Sequence, residues 1–98
     1  MEPTFELKSE LWVWQGKAAW HFFTIDENTS KQIKAFQGVD KRRGWKSVRV
    51  EVKLGKSKWR TSIFPQKKET YILPVKAEIR KTNKLLAGSE VKFTIQLI

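Results

Sequence analysis

Ninety-eight residues suffice for one domain, which at this size can bury on the order of two-thirds of the surface its unfolded chain exposes. Five Trp, six Phe and one Tyr supply large apolar units for the core, and the absence of cysteine excludes disulfide staples, thiolate metal sites and a cysteine nucleophile. The formal charge of +10 is uneven: residues 1–30 carry two lysines against five acids, whereas residues 31–98 carry eighteen Lys and Arg against five acids.

Thr4 to Trp14 alternates, with Phe5, Leu7, Leu11 and Val13 on one side and Glu6, Lys8 and Glu10 on the other, the period of a half-buried strand. Gln15, Gly16 and Lys17 form a turn, and Ala18 to Ile25 returns as a second strand. It sets Trp20, Phe22 and Thr24 on one face and His21, Phe23 and Ile25 on the other. With both faces apolar, this strand is expected to run through the interior. Asp26, Asn28, Thr29 and Ser30 are residue types that accept from the free amides of a helix start, so a short helix is predicted near 28–37. Ile33 and Phe36 form its buried stripe and Gly38 ends it.

Val39 to Gly44 reads as a basic loop, and Trp45 to Leu54 as the clearest strand, with Val48, Val50, Val52 and Leu54 on one face. The stretch from Gly55 to Lys58 turns it into a second strand, Trp59 to Phe64, so the two form a hairpin. A short strand, Thr70 to Leu73, precedes Pro74, which fits a helix start, and a helix is predicted near 74–84 with Val75 and Ile79 as its buried stripe. Val91, Phe93, Ile95 and Leu97 alternate to the end as a half-buried strand. The order strand, helix, glycine, strand occurs twice, from Phe22 to Leu54 and from Tyr71 to Leu97, which suggests an internal duplication.

Several stretches carry a resemblance. The run W-R-T-S-I-F-P from Trp59, then Y-I-L-P-V-K from Tyr71 and I-R-K from Ile79, resembles the signature of an uncharacterised bacterial and archaeal family, domain of unknown function 1905. F-E-L-K-S-E-L-W from Phe5, G-K-A-A-W-H-F from Gly16 and R-G-W-K-S-V-R-V-E-V from Arg43 agree with it. The segment L-P-V-K-A-E-I-R-K from Leu73, with L-L-A-G-S-E-V-K-F from Leu85, is also distantly similar to the strand, helix and turn unit of AbrB- and MazE-type transcription factors. Ser89 stands where an acidic residue is usual in that unit. The resemblance implies a mainly β fold, a double-split β-barrel capped by two short α-helices, with both halves supplied by one chain. A single domain over residues 1–98, with no second domain and a monomeric state, is the expectation.

Residues that could carry chemistry are few. His21 is the single histidine and lies in an apolar strand, where a hydrogen-bonded interior or edge histidine is favoured over a catalytic base. No His cluster has metal-ligand spacing, the carboxylates are scattered, no glycine-rich loop cradles phosphate, and Ser62 lacks the glycine-flanked elbow of a hydrolase. An enzyme, a cofactor and a metal are therefore not expected. No apolar run approaches the ~20 residues of a membrane span, and the start, Met1-Glu2-Pro3, lacks the parts of a secretory signal, so a cytoplasmic protein is expected.

The basic residues point to polyanions, through counterion release and steering, although a lysine-rich surface can also serve solubility alone. Arg42, Arg43 and Trp45 sit together, and Lys58, Trp59 and Arg60 repeat the arrangement across the hairpin. Tryptophan faces can stack bases while cations neutralise phosphates; alternatively, both tryptophans pack on the barrel and the cations snorkel around them. Candidate contacts to nucleic acid or an acidic partner are Arg42, Arg43, Arg60, Lys76, Arg80 and Lys81, with Trp45 and Trp59 as stacking surfaces. The alternatives are a protein-interaction domain, since relatives of the family can occur fused to bacteriocin-protection domains, and a small-ligand pocket in a barrel mouth.

Overall fold

Alternating strands with one apolar face each must bury that face against one another, and six of them do so here by closing on themselves. The computed structural model describes residues 3–16, 19–36, 47–66 and 69–98. In chain order these form β1 (Thr4–Gln15), β2 (Ala19–Ile25), α1 (Glu27–Phe36), β3 (Val48–Leu54), β4 (Ser57–Gln66), β5 (Thr70–Pro74), α2 (Ala77–Thr82) and β6 (Glu90–Leu97). The strands make a closed antiparallel barrel in the order β1-β2-β5-β4-β3-β6, the architecture expected from the sequence, with two short helices.

Two strands are each shared between neighbours. β1 pairs with β6 from Thr4 to Glu10 and then with β2 from Leu11 to Gln15; β4 pairs with β3 from Ser57 to Ile63 and then with β5 from Phe64 to Gln66. β2 pairs with β5, and β3 with β6. Exchanging β1 with β4, β2 with β5 and β3 with β6 leaves this pairing scheme unchanged. Where β1 leaves β6 for β2, Leu11 donates to the Ser89 carbonyl at 2.9 Å and accepts from the Gly88 N–H at 2.7 Å, so the turn after α2 seals the split.

Inside, Leu11, Phe23, Ile25, Ile33, Val50, Val52, Ile63, Leu73 and Ile95 are wholly shielded from solvent, each such large side chain contributing about 1.5–3 kcal/mol. The rings of Phe23 and Phe93 stack across the barrel at 4.7 Å. Asp26 caps α1 by accepting the Thr29 N–H at 2.9 Å through Oδ2. One turn on, Ser30 joins three elements: its Oγ donates to the Ile25 carbonyl and accepts from the Tyr71 N–H, both at 3.1 Å.

Three local expectations change. β2 is buried on one face only: Phe23 and Ile25 point inward, whereas Trp20 stays 52% exposed, because a small barrel has a single interior. Pro74 ends β5 opposite Phe22 instead of opening α2, which starts three residues later at Ala77; Val75 is buried but precedes the helix, and Ile79 is only partly buried against the core. Phe36 lies beyond the buried stripe of α1, 61% exposed, meeting Phe5 edge-on at 6.1 Å.

Candidate functional site: an aromatic shelf beside a cationic pocket

The aromatic residues of β2 that do not fit inside the barrel collect on its outer surface. Register places Trp14 opposite Trp20, Trp12 opposite Phe22, Phe22 opposite Pro74, and Ile72 opposite both Thr24 and Phe64. A diagonal apolar row therefore crosses β1, β2, β5 and β4, roughly 14 Å wide at normal strand spacing. It forms a hollow of about 330 Å³ lined by Trp14, Trp20, Phe22, Phe64, Ile72 and Pro74. Trp14, Trp20 and Phe64 are 53%, 52% and 44% exposed. Gly16 makes room for one wall, because a Cβ there would come within 2.5 Å of the Trp14 ring. Trp20 and Phe22 lie nearly parallel, 10° apart with centroids at 6.2 Å, and the Trp12 indole N–H donates to Thr24 Oγ1 at 2.8 Å. These ties hold the ring faces in place.

A second hollow, of about 200 Å³, adjoins this shelf and shares Trp20 and Pro74 with it. Its polar residues are His21, Lys76 and Arg80. β5 feeds into α2 here, and the Val75 N–H donates to the His21 carbonyl at 2.9 Å, fixing α2 against β2. Arg80 Nη1 lies 3.2 Å from His21 Nε2, and His21 Nδ1 lies 3.1 Å from the Ala19 carbonyl. Because a guanidinium can only donate, Nε2 is the acceptor and Nδ1 carries the proton that goes to Ala19. Arg80 Nε, another of the five guanidinium N–H donors, is buried without a hydrogen-bond partner.

Of the residues predicted from the sequence, Lys76 and Arg80 come together in this pocket, and Lys81 is exposed beside Arg80 on α2. Arg60 projects from the outer face of β4, the face that carries Ser62 and then Phe64, and lies 3.7 Å from Glu51, which Lys58 also approaches at 3.7 Å. Trp59 sits opposite Val52 and packs against the core, its Nε1 buried without a partner, which is the packing alternative of the two considered for it. Arg42, Arg43 and Trp45 lie outside the described residues. Trp14, Trp20 and Phe64 were not among the sequence candidates; the signal for Trp20 was the apolar surplus on both faces of β2.

A larger hollow of about 510 Å³ lies where β1, β6 and β3 meet, with Lys8, Lys53 and Lys92 on its rim. Lys8 is paired with Glu90 at 3.3 Å, and among the described residues no buried polar side chain lines this hollow, so it is the weaker candidate. Among the described residues, no group of three or more His, Asp or Glu could hold a metal ion, and no helix is long and apolar enough to cross a membrane. No curated protein matches the chain. The sequence model of the domain of unknown function DUF1905 matches residues 8–95, and the chain belongs to that family.

Proposed function

We propose that the chain is a small binding module for single-stranded nucleic acid, with bases on the aromatic shelf and phosphates on the cations around it. The observation that carries this reading is the contiguity of exposed indole faces with the Arg80 and Lys76 pocket through Trp20 and Pro74. Aromatic faces stack on any base, but only on one whose own face is free, so the shelf favours unpaired strands over a duplex. Arg60 stands on the same outer face of β4 as Phe64, Lys81 is exposed on α2, and the chain's charge of +10 draws a polyanion toward it.

A second reading, a protein-interaction domain, draws support from the shelf itself, whose six lining residues are all apolar and exceed what an isolated surface hydrophobe requires. Fluorescence anisotropy of short single- and double-stranded DNA and RNA at two salt concentrations separates the two, with a lysine-rich protein of equal net charge as control. The nucleic-acid reading expects tighter binding of single strands than of duplex. It also expects Trp20→Ala to cost about 1–3 kcal/mol with little change in salt slope, and loss of a phosphate-binding cation to lower that slope by about 0.7. Binding no tighter than the control's would move the assignment to a protein partner.

A further inference from the structure

We propose that the Arg80 pocket and Trp20 together form a site for one nucleotide, the phosphate held by Arg80 and Lys76 and the base lying on the shelf. This rests on the nucleic-acid reading and narrows it to a nucleotide whose phosphate is a monoester, as at the 5′ end of a strand. Because Trp20 and Pro74 wall both hollows, a base stacked on the Trp20 indole has its phosphate side directed over Pro74 into the pocket.

The Arg80 pocket has the chemistry for that group. Arg80 is aimed by His21, which is itself fixed by the Ala19 carbonyl, so the guanidinium is oriented before any ligand arrives. Its buried Nε–H lacks a hydrogen-bond acceptor, and Arg80 lines the hollow that the phosphate would enter. The planar guanidinium fork matches two oxygens of a phosphate, and the exposed Lys76 adds a second positive charge to meet a dianion. The other walls are Ala19, Val75 and Ala77, so among the described residues no carboxylate lines the pocket to repel an anion.

The test is a titration of the full chain with adenosine 5′-monophosphate, adenosine and inorganic phosphate, followed by ¹⁵N NMR at the Arg80 Nε–H and Trp20 Nε1–H. The monophosphate is expected to move both signals, adenosine only that of Trp20, and phosphate only that of Arg80. The monophosphate should bind at least about tenfold more tightly than adenosine, and Arg80→Ala should erase that advantage while leaving adenosine unaffected. Should Arg80→Ala not fold, Lys76→Ala, on an exposed side chain, should reduce the same advantage several-fold. Equal affinity for monophosphate and nucleoside, or an Arg80 signal that the monophosphate leaves unmoved, overturns the nucleotide site. If single strands still bind with steep salt dependence in that case, the nucleic-acid reading survives without it. If neither strands nor nucleotides bind, both fall.

Discussion

Asn83 Oδ1 accepts the backbone N–H of Lys56 at 3.0 Å, tying the residue that closes α2 to the turn between β3 and β4. The same side chain donates through Nδ2 to Ser57 Oγ at 2.9 Å and to the Ile79 carbonyl at 3.0 Å. One asparagine thus holds the helix that carries Arg80 against the hairpin that carries Arg60. Asn83→Ala should lower stability by about 1–3 kcal/mol, read as a fall in the urea midpoint with an unchanged slope. Gly55→Ala should also destabilise, because Gly55 has φ +55° and a Cβ there would run into Asn83 Oδ1. A midpoint unchanged in Asn83→Ala would show that water replaces these bonds without loss.

Ser30 predicts a second effect. Its hydroxyl is wholly buried and serves the Tyr71 N–H, so Ser30→Ala leaves a buried backbone donor without an acceptor. A loss of about 1–3 kcal/mol is expected, larger than for replacement of the exposed Gln32 in the same helix by Ala. Hydrogen exchange should locate the weakening at the Tyr71 amide, where α1 meets β5.

The barrel was legible because its strands alternate: Val48, Val50, Val52 and Leu54 on β3, and Phe93, Ile95 and Leu97 on β6, are all buried as the period requires. The helices were legible in existence more than in extent. Pro74 suits a helix start and a strand end equally well, and its pairing opposite Phe22 was decided by tertiary contacts that local propensity does not encode. The site was half legible. Lys76 and Arg80 followed from the charge, but apolar residues on both faces of a strand read as burial until the barrel shows that only one face has an interior. Trp20 therefore read as core, and Trp59, which is packed against the core, read as a possible surface.

Burial pushes the Tyr71 phenol above its ordinary range. The folded chain then keeps this proton at a pH where the unfolded chain, with an ordinary phenol near about 10, releases it. The resulting stability is fully present below about pH 10 and is lost as pH rises through the folded value. Urea midpoints should fall on the alkaline side, and Tyr71→Phe should flatten that decline relative to its own value near neutrality. A decline identical in the two proteins would remove Tyr71 as its cause.

Each of the six strands has two partners in the closed barrel, so among the described residues no sheet edge requires a second chain to complete it. A monomer is the expected species, and light scattering across a range of concentrations checks it. An obligate dimer that unfolds on dilution would contradict the expectation and would point to the aromatic shelf as the buried surface.

Bases stacked on Trp14 and Trp20 would quench the fluorescence of these indoles, so a titration with a short single-stranded oligonucleotide reads the proposed contact itself. Quenching is predicted for the unaltered protein and for Trp59→Phe, whose indole is packed against the core, and is predicted to be largely lost when Trp14 and Trp20 are both replaced by Ala. Quenching that persists in the double variant, or that disappears in Trp59→Phe, would show that bases do not stack on these two rings.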